Sequence, residues 1–192
     1  MNTNHQWNFK ETSLKGVYEI QPFCAYDIRG FFLKDYSDEI FRQNDLDYEL
    51  KETFYSFSNK NVIRGLHFQR CHQMPKLVRC LKGSISDVVC DLRKGSPDFG
   101  KWISIILSEE NMKELLIPGG FAHGFMALED SLVSYKCSET FYKEFDDGIV
   151  WNDPDINVDW KLDNTNNIII SEKDSHLQTL KEFIAKYKGL EY

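Results

Sequence analysis

Val62-Ile-Arg-Gly-Leu-His-Phe-Gln69 is the stretch of this sequence that says most about the fold. It is a short apolar run typical of a β-strand, and it carries His67 between Arg64 and Gln69. A histidine titrates near neutral pH and can remove a proton when a neighbouring group orients its ring. A buried histidine that is hydrogen-bonded within a β-core explains this stretch equally well.

Two later stretches have the same character. Pro118-Gly-Gly-Phe-Ala-His-Gly-Phe125 places His123 just after a tight turn, which favours packing or substrate contact over catalysis. Leu132-Val-Ser-Tyr-Lys-Cys137 places Tyr135 on one face of a strand, a core position unless its hydroxyl faces a cavity. Together the three stretches offer a base, a phenol and an arginine on β-structure, which predicts proton transfer on an anionic substrate.

The middle of the chain, from about residue 53 to 151, predicts almost only β-strands. Short apolar runs occur at Val62–Phe68, Lys76–Leu81, Ser84–Leu92, Trp102–Leu107, Glu114–Ile117 and Leu132–Cys137. Turn signals separate these runs at Lys82-Gly-Ser84, Lys94-Gly-Ser-Pro97 and Pro118-Gly-Gly120. Helical patterns of about ten residues or more, which a βαβ fold requires, do not intervene. The pattern therefore favours a sandwich or a barrel.

The two ends of the chain look different. The N-terminal part predicts two strands and a short helix, at Val17–Pro22, Gly30–Asp35 and Asp38–Asn44. Near the C-terminus the apolar residues keep helical spacing and predict one amphipathic helix over about 175–187. Asp174 or Ser175 is the expected N-cap of that helix.

Composition bounds the class of protein. With 192 residues, 42% of them hydrophobic, the chain fits a single domain over 1–192 whose β core spans about 17–160. A net charge of −7 without a long basic run argues against a nucleic-acid or membrane-surface role. Five cysteines without a C-x-x-C pair predict reduced, mostly buried thiols and neither a disulfide framework nor a thiolate zinc site. The stretch Met1–Trp7 lacks an apolar signal region and no run reaches about 18 apolar residues, so we expect a cytoplasmic protein.

Three further residues each have a structural and a functional interpretation. If Lys76 points inward beside His67, its charge is uncompensated and a functional role is the better explanation; if it points outward, it is an ordinary surface lysine. Arg29 either holds a phosphate or simply occupies a turn, and Asp174 can be no more than a helix cap.

Several signatures of other enzyme classes are missing from the sequence. It has no H-x-H pair with a downstream glutamate, no G-x-S-x-G segment, and no P-loop or G-x-G-x-x-G segment. These absences argue against metal-binding cupins, serine hydrolases, P-loop nucleotide hydrolases and dinucleotide-dependent oxidoreductases.

An ordered series of motifs resembles one known family. The motifs are Arg64-Gly-Leu-His-Phe-Gln69, Lys76-Leu-Val-Arg79, Asp91-Leu-Arg-Lys-Gly-Ser-Pro97, Ile117–Phe125, Gly148-Ile-Val-Trp-Asn-Asp-Pro154, Val158-Asp-Trp160 and Ser171-Glu-Lys-Asp174. Over roughly residues 17–175 this series resembles the dTDP-4-dehydrorhamnose 3,5-epimerase family of nucleotide-sugar epimerases. The resemblance implies a mainly β fold, a cupin-like β jelly roll with a C-terminal helix, that works without metal or cofactor and usually as a homodimer.

The resemblance also implies an activity. Family members invert carbon 3, carbon 5 or both in a nucleotide-diphosphate 4-keto-6-deoxy sugar, for surface polysaccharides such as lipopolysaccharide or capsule. His67 is implied as the base, with its tautomer held by Asp174. Tyr135 is implied as the acid on the opposite face, and Lys76 as the group that stabilises charge on the keto oxygen. Implied substrate-binding residues are Arg64 and His123 at the sugar and phosphate end, Arg29 and Phe32 at the nucleotide, and Glu52, Ser56 and Gln69.

Four positions depart from the residues that the family usually has. Lys34 stands where glutamate is usual, Glu52 and Phe54 where glutamine and asparagine are common, and Phe141 where tyrosine is frequent. This pattern fits retained chemistry on an altered ligand. A guanosine-linked 4-keto sugar, including a heptose, is therefore an alternative to the thymidine-linked sugar that the family implies.

Three other functions compete with the epimerase. A nucleotide-sugar 3,4-ketoisomerase also passes through an enediol, but related ketoisomerases tend to lack the full set of catalytic residues named above. A metal-dependent cupin oxygenase disagrees with the ligand spacing of this sequence. A non-catalytic sugar-nucleotide binding cupin predicts binding without exchange of solvent hydrogen at carbon 3 or carbon 5.

Overall fold

The structure is a computed structural model that describes residues 4–162 and 167–192. The first three residues of the Met1–Trp7 stretch and residues 163–166 of the expected domain lie outside the described residues. Two antiparallel sheets and a separate hairpin contain the described strands. The predicted fold class, mainly β with helix near the C-terminus, is confirmed at that level.

Strands and helices are numbered in chain order. The larger sheet has six strands in the described ranges, in the spatial order β1 (Asn8–Glu11), β2 (Tyr18–Gln21), β10 (Glu114–Ile117), β7 (Lys76–Lys82), β12 (Ser131–Cys137) and β5 (Glu52–Ser58). The smaller sheet has five described strands, in the order β13 (Asp146–Gly148), β6 (Ile63–Gln69), β11 (Phe121–Ala127), β8 (Ser84–Asp91) and β9 (Trp102–Ser108). A separate hairpin pairs β3 (Phe23–Asp27) with β4 (Gly30–Lys34).

The helices are short and lie outside the sheets. They are α1 (Asp38–Gln43), a 3-10 turn (Lys143–Phe145), α2 (Glu172–Ser175) and α3 (Leu180–Tyr187). Across residues 4–162 and 167–192, no helix is long and apolar enough to cross a membrane.

An apolar core fills the space between the two sheets. Because side chains alternate along a strand, Val133, Tyr135 and Cys137 of β12 all face it, opposite residues such as Val89 and Phe125 of the smaller sheet. A second cluster packs the outer face of the smaller sheet against α3, and a third packs α1 against the outer face of the larger sheet. The two sheets are therefore the central layers of the structure. A cavity between them can open only beyond the end of the apolar core that separates them.

The strand predictions for the middle of the chain are confirmed. Each of the six predicted runs is a strand whose ends differ from the prediction by no more than one residue, and all three turn signals lie between strands. The sequence did not predict β1, an edge strand with a weak apolar alternation, or β3, which pairs with β4 outside the two sheets. The cysteines are all free and four of them are buried, as expected.

The predicted C-terminal helix is present and ends at Tyr187 as expected, but it begins at Leu180 and not near residue 175. The chain is extended between α2 and α3, because the Gln178 carbonyl accepts a hydrogen bond from the Val150 N–H at 2.9 Å. A new helix then begins with Thr179 as its N-cap, in a capping box with Glu182. The hydrogen bond between Gln178 and Val150 therefore interrupts a stretch whose apolar spacing is helical from end to end.

The prediction that Asp174 or Ser175 is the N-cap is wrong. Both residues lie inside α2, whose N-cap is Ser171; the Asp174 N–H donates to Ser171 Oγ at 3.1 Å. Asp174 is 4% exposed, and its side chain points toward β6 instead of capping a helix. Its carboxylate is thus available for another purpose.

Candidate active site

A cavity of about 380 Å³ opens between the two sheets. Eight residues that the sequence singled out line it: Glu52, Ser56, Arg64, His67, Gln69, Lys76, His123 and Tyr135. Asp174 lies directly behind His67. A cavity of this size suits a small-molecule ligand.

His67 is held by a buried carboxylate. Asp174 Oδ1 lies 2.8 Å from His67 Nε2, and Asp174 Oδ2 accepts the Gly65 N–H at 3.0 Å. Burial acts to raise the pKa of Asp174, but the hydrogen bonds from His67 and Gly65 outweigh it and hold the pKa below its usual value. An ionised carboxylate can only accept, so Nε2 carries the proton and Nδ1 is left as the basic nitrogen of the ring.

A close approach of two strands sets the position of this histidine. Gly65 has a φ of +106°, and a Cβ at this position would lie 2.6 Å from the His123 carbonyl oxygen. Only glycine allows β6 and β11 to come this near. The register of the pair shifts between His123 and Phe125, and it leaves His67 directly opposite His123. Side chains at such paired positions lie on the same face of a sheet.

His123 has a carboxylate of its own. Its Nε2 lies 2.7 Å from Asp87 Oδ1, and both side chains are buried. Sequence reasoning did not single out Asp87, although a signal was present: it is a carboxylate within the strand β8, whose residues from Ile85 onward are all buried. An acidic residue in such a run needs a partner.

Tyr135 lies on the opposite wall of the cavity, on the larger sheet. Its ring stacks on Phe54 with centroids 4.8 Å apart and planes at 20°, and it lies at 76° to the His123 ring with centroids 6.2 Å apart. Its hydroxyl lies 3.1 Å from Ser56 Oγ. Burial raises the pKa of Tyr135 well above its usual value. The phenol is therefore neutral at physiological pH and able to give a proton.

Lys76 has the inward orientation of the two that the sequence left open. It lines the cavity, whereas Arg79 on the other face of β7 pairs with Asp35 at 3.4 Å. Among the described residues, no carboxylate lies within ion-pair distance of Lys76 Nζ. Burial lowers the pKa of Lys76. This cation is uncompensated until an anionic ligand or oxyanion enters.

Hydrogen bonds hold the side chains of two charged residues at the cavity, Arg64 and Glu52. Arg64 donates from Nε to Ser58 Oγ at 2.9 Å and from Nη2 to the Phe57 carbonyl at 3.1 Å. Glu52 Oε2 accepts the Phe141 N–H at 2.9 Å. Their side chains are thus held in fixed positions against the lining.

Gln69 has a mainly structural environment. Its side-chain amide donates to the carbonyls of His72 and Thr140 at 2.6 and 3.2 Å, and its Oε1 accepts the Tyr142 N–H. It is 4% exposed. The amide therefore shapes the wall of the cavity by holding two loops, with little capacity left for a ligand.

Arg29 and Phe32 lie away from this cavity. They belong to the β3–β4 hairpin, where Arg29 pairs with Asp27 at 2.5 Å and Phe32 is 64% exposed. Lys34, one of the four departures from the usual family residues, ends the same hairpin. Neither Arg29 nor Phe32 lines the cavity of its own chain, and their contact with a nucleotide stays a prediction.

The cavity has further lining residues that the sequence did not single out. They are Phe68, Met74, Gly124, Phe125, Asp146 and Lys173, of which Asp146 and Lys173 form an ion pair. The departures Glu52, Phe54 and Phe141 also line it. Except for Lys34, the unusual residues of this chain therefore surround the cavity.

Comparisons with known proteins agree with the motifs. A family model described as dTDP-4-dehydrorhamnose 3,5-epimerase matches residues 11–182. The dTDP-4-dehydrorhamnose 3,5-epimerases of Methanothermobacter thermautotrophicus and Escherichia coli are 46% and 41% identical over 178 and 181 residues, and each alignment covers 92% of this chain and 96% of the relative.

A solved structure agrees as well. The dTDP-6-deoxy-D-glucose-3,5-epimerase of Legionella pneumophila Philadelphia 1, in complex with dTDP-4-keto-L-rhamnose, matches with a TM-score of 0.91 at 33% identity. The match covers 97% of this chain and 99% of that chain. The motifs, the sheets and the relatives therefore agree: this chain is an isomerase and belongs to the dTDP-4-dehydrorhamnose 3,5-epimerase family.

Proposed function

We propose that this protein inverts carbons 3 and 5 of a dTDP-linked 4-keto-6-deoxy sugar, without a metal, for surface-polysaccharide synthesis in the cytoplasm. The main support is one geometric relationship. His67 projects from the smaller sheet and Tyr135 from the larger sheet into the same cavity. Inversion needs a base on one face of the sugar and an acid on the other, and two walls that face each other meet that need.

His67 begins each inversion. Its Nδ1 removes the hydrogen on the carbon next to the ketone, the electron pair moves to the keto oxygen, and an enolate forms. Lys76 stabilises the negative charge on that oxygen. Tyr135 then gives its proton to the carbon from the opposite face. General acid–base catalysis contributes about 10²–10⁴-fold, so the ammonium beside the oxyanion supplies a comparable share.

Lys76 takes the place that a metal ion has in other enolisation sites. In the part of the chain that the structure describes, there is no group of three or more His, Cys, Asp or Glu side chains that could hold a metal. Activity is therefore expected to survive exhaustive treatment with a chelator, and loss of activity that added metal restores would contradict this part of the proposal.

The rest of the substrate extends from the same cavity. Arg64 and His123 are proposed to contact the sugar and the phosphates. Arg29 and Phe32 are exposed on a hairpin outside the cavity, and a second copy of the chain is proposed to supply them to the nucleotide. A homodimer of single-domain, cupin-like jelly rolls is thus part of the proposal.

Guanosine-linked 4-keto sugars are a second candidate class of substrate. The observation in their favour is Glu52, a carboxylate at the cavity that uses one oxygen for the Phe141 N–H. Its second oxygen can accept from the neighbouring N–H groups of guanine, whereas thymine offers one such donor. Calorimetric titration with dTDP and with GDP separates the two, and tight dTDP binding without GDP binding rejects the guanosine class.

Proton NMR in deuterium oxide tests the activity itself. With a dTDP-linked 4-keto-6-deoxyhexose, deuterium is expected at carbons 3 and 5, with inversion at both. Movement of the carbonyl to carbon 3 would instead identify a 3,4-ketoisomerase. Tight binding without any deuterium uptake would identify a non-catalytic binding protein.

A further inference from the structure

Each proposed inversion leaves the two catalytic groups in the wrong protonation states for the next one. His67 has gained a proton and Tyr135 has lost one. Inversion of both carbons in one substrate therefore requires a reset between the two events. The following inference rests on the proposed function and concerns the route of that reset.

The two groups differ in their access to water. The His67 side chain is 31% exposed and can release its proton directly. Tyr135 is 7% exposed, with Phe54 stacked on its ring and the His123 ring packed at a steep angle to it. Over the described ranges, the hydrogen-bond partner of its hydroxyl is Ser56 Oγ at 3.1 Å. Once a sugar covers the phenol, Ser56 is the contact that remains.

Ser56 is well placed to connect the phenol with water. It is half-buried and lies on β5, the edge strand of the larger sheet. Glu52, Phe54 and Ser56 are spaced by two residues, so all three face the cavity. A serine hydroxyl has one hydrogen to give and two lone pairs to accept with. It can therefore receive one proton while it passes on another.

We propose that Ser56 is the proton relay that restores Tyr135 between the two inversions. A water molecule gives a proton to Ser56 Oγ while the original Ser56 hydroxyl proton moves to the Tyr135 phenolate oxygen. The hydroxide that remains is neutralised by the proton that the His67 imidazolium releases. The net change is one proton moved from His67 to Tyr135, and Ser56 ends as it began.

The surroundings favour this direction of transfer. Burial disfavours the phenolate form of Tyr135, which gives the reset a driving force. Because the serine stays neutral throughout, no charge has to enter the apolar wall formed by Phe54. Ser56 thus acts through Tyr135, as a positioning and relay residue that need not touch the reacting carbon.

Rapid-quench NMR of Ser56→Ala in deuterium oxide tests the relay. The first inversion is expected to appear as a burst of about one equivalent per site. Later inversions should slow by about 10²–10⁴-fold, the share of a lost acid–base step, so that singly inverted sugar accumulates. Small buffer acids that enter the vacated space should restore part of the rate.

Two matched variants control for structure. Ser56→Thr keeps the hydroxyl and is expected to recover double inversion. Thr53→Ala removes a hydroxyl from the exposed face of the same strand and should leave the product ratio unchanged. If Ser56→Ala slows the first and second inversions equally, or slows neither, the relay is refuted.

The wild-type enzyme provides a test that needs no variant. Two protons move together in the relay, so the rate of the second inversion should depend on the deuterium fraction of the solvent along a curve. A straight line would contradict the relay. Wild-type protein that takes up no deuterium at either carbon would instead overturn the proposed function, so the two failures are distinguishable.

Discussion

His67 and His123 are direct cross-strand neighbours, and each is hydrogen-bonded to a different carboxylate. The two imidazoles differ in exposure, 31% for the His67 side chain and 6% for that of His123. The more exposed ring, His67, is suited to take a proton from a substrate. The buried ring, His123, is suited to hold a substrate in place.

This pair supports a first prediction. His67→Ala should abolish deuterium exchange at both carbons, with a loss of about 10²–10⁴-fold or more. The neighbouring imidazole of His123 is buried and bound to Asp87, so it is not free to take over as the base. His123→Asn should weaken substrate binding more than it slows exchange. His176→Ala, which changes an exposed histidine, serves as the control. Exchange that persists in His67→Ala would assign the base to another residue.

Tyr135→Phe should separate exchange from inversion. The enolate can still form without the phenol and take its proton back on the original face, so deuterium should enter while inversion falls. Side-by-side NMR of exchange and of sugar configuration measures the two rates. An equal loss of both would count against Tyr135 as the opposite-face acid.

Asp174→Asn should reduce both activity and stability in a pH-dependent way. The pKa of Asp174 is held below its usual value, so its ionised form contributes stability above about pH 4 that is lost as pH falls through the lowered pKa. The variant should lose about 1–3 kcal/mol of unfolding free energy near neutral pH, the cost of a buried partner left unsatisfied. The difference from wild type should shrink below about pH 4. Denaturant titrations at several pH values measure it, and a constant difference would contradict the assignment.

Lys76→Met should abolish activity without destabilising the fold. A methionine removes an uncompensated cation from the cavity wall, so the melting temperature should stay the same or rise. In the wild type, kcat/KM should decline on the alkaline side below the usual lysine range, because burial lowers the pKa of Lys76 and the ammonium is lost earlier. Lys82→Met, at the exposed end of the same strand, is the matched control. A less stable but active Lys76→Met protein would refute this role.

Glu114 supports a prediction about stability alone. It is fully buried on the outer face of the larger sheet, with Lys136 Nζ at 3.6 Å and with Asp35 and Arg79 nearby. Burial raises its pKa to about 8. Stability contributed by the protonated form is therefore complete below its ordinary pKa and is lost as pH rises through about 8.

Glu114→Gln should remove that loss. The wild type should lose up to about 1.4 kcal/mol per pH unit through this window, whereas the variant should not. The two proteins should thus be similar at low pH and differ at alkaline pH, with the variant more stable. Thermal melts across the range provide the measurement, and parallel curves would show that Glu114 stays ionised.

The features that the sequence revealed are local ones. Strands followed from apolar runs between turn signals, whereas the direction of the Lys76 side chain stayed open. The resemblance to a family supplied the set of residues that meet in the cavity. Neither the strand pattern nor the family resemblance requires knowledge of which distant segments contact one another.

The features that the sequence did not reveal depend on contacts between distant segments. Asp87 was missed because its partner His123 is 36 residues away. The break before α3 was missed because Gln178 pairs with Val150, a contact that no helical pattern encodes. The exposure of Arg29 likewise depends on where the hairpin packs.

The carboxylate that holds His67 comes from a helix 107 residues later in the chain. During synthesis, all thirteen described strands leave the ribosome before Asp174 does. A nascent chain can therefore assemble the walls of its reaction chamber while the imidazole is still without its anchor. Catalytic activity should therefore appear late in folding and in one step, when the segment that carries Asp174 docks on β6.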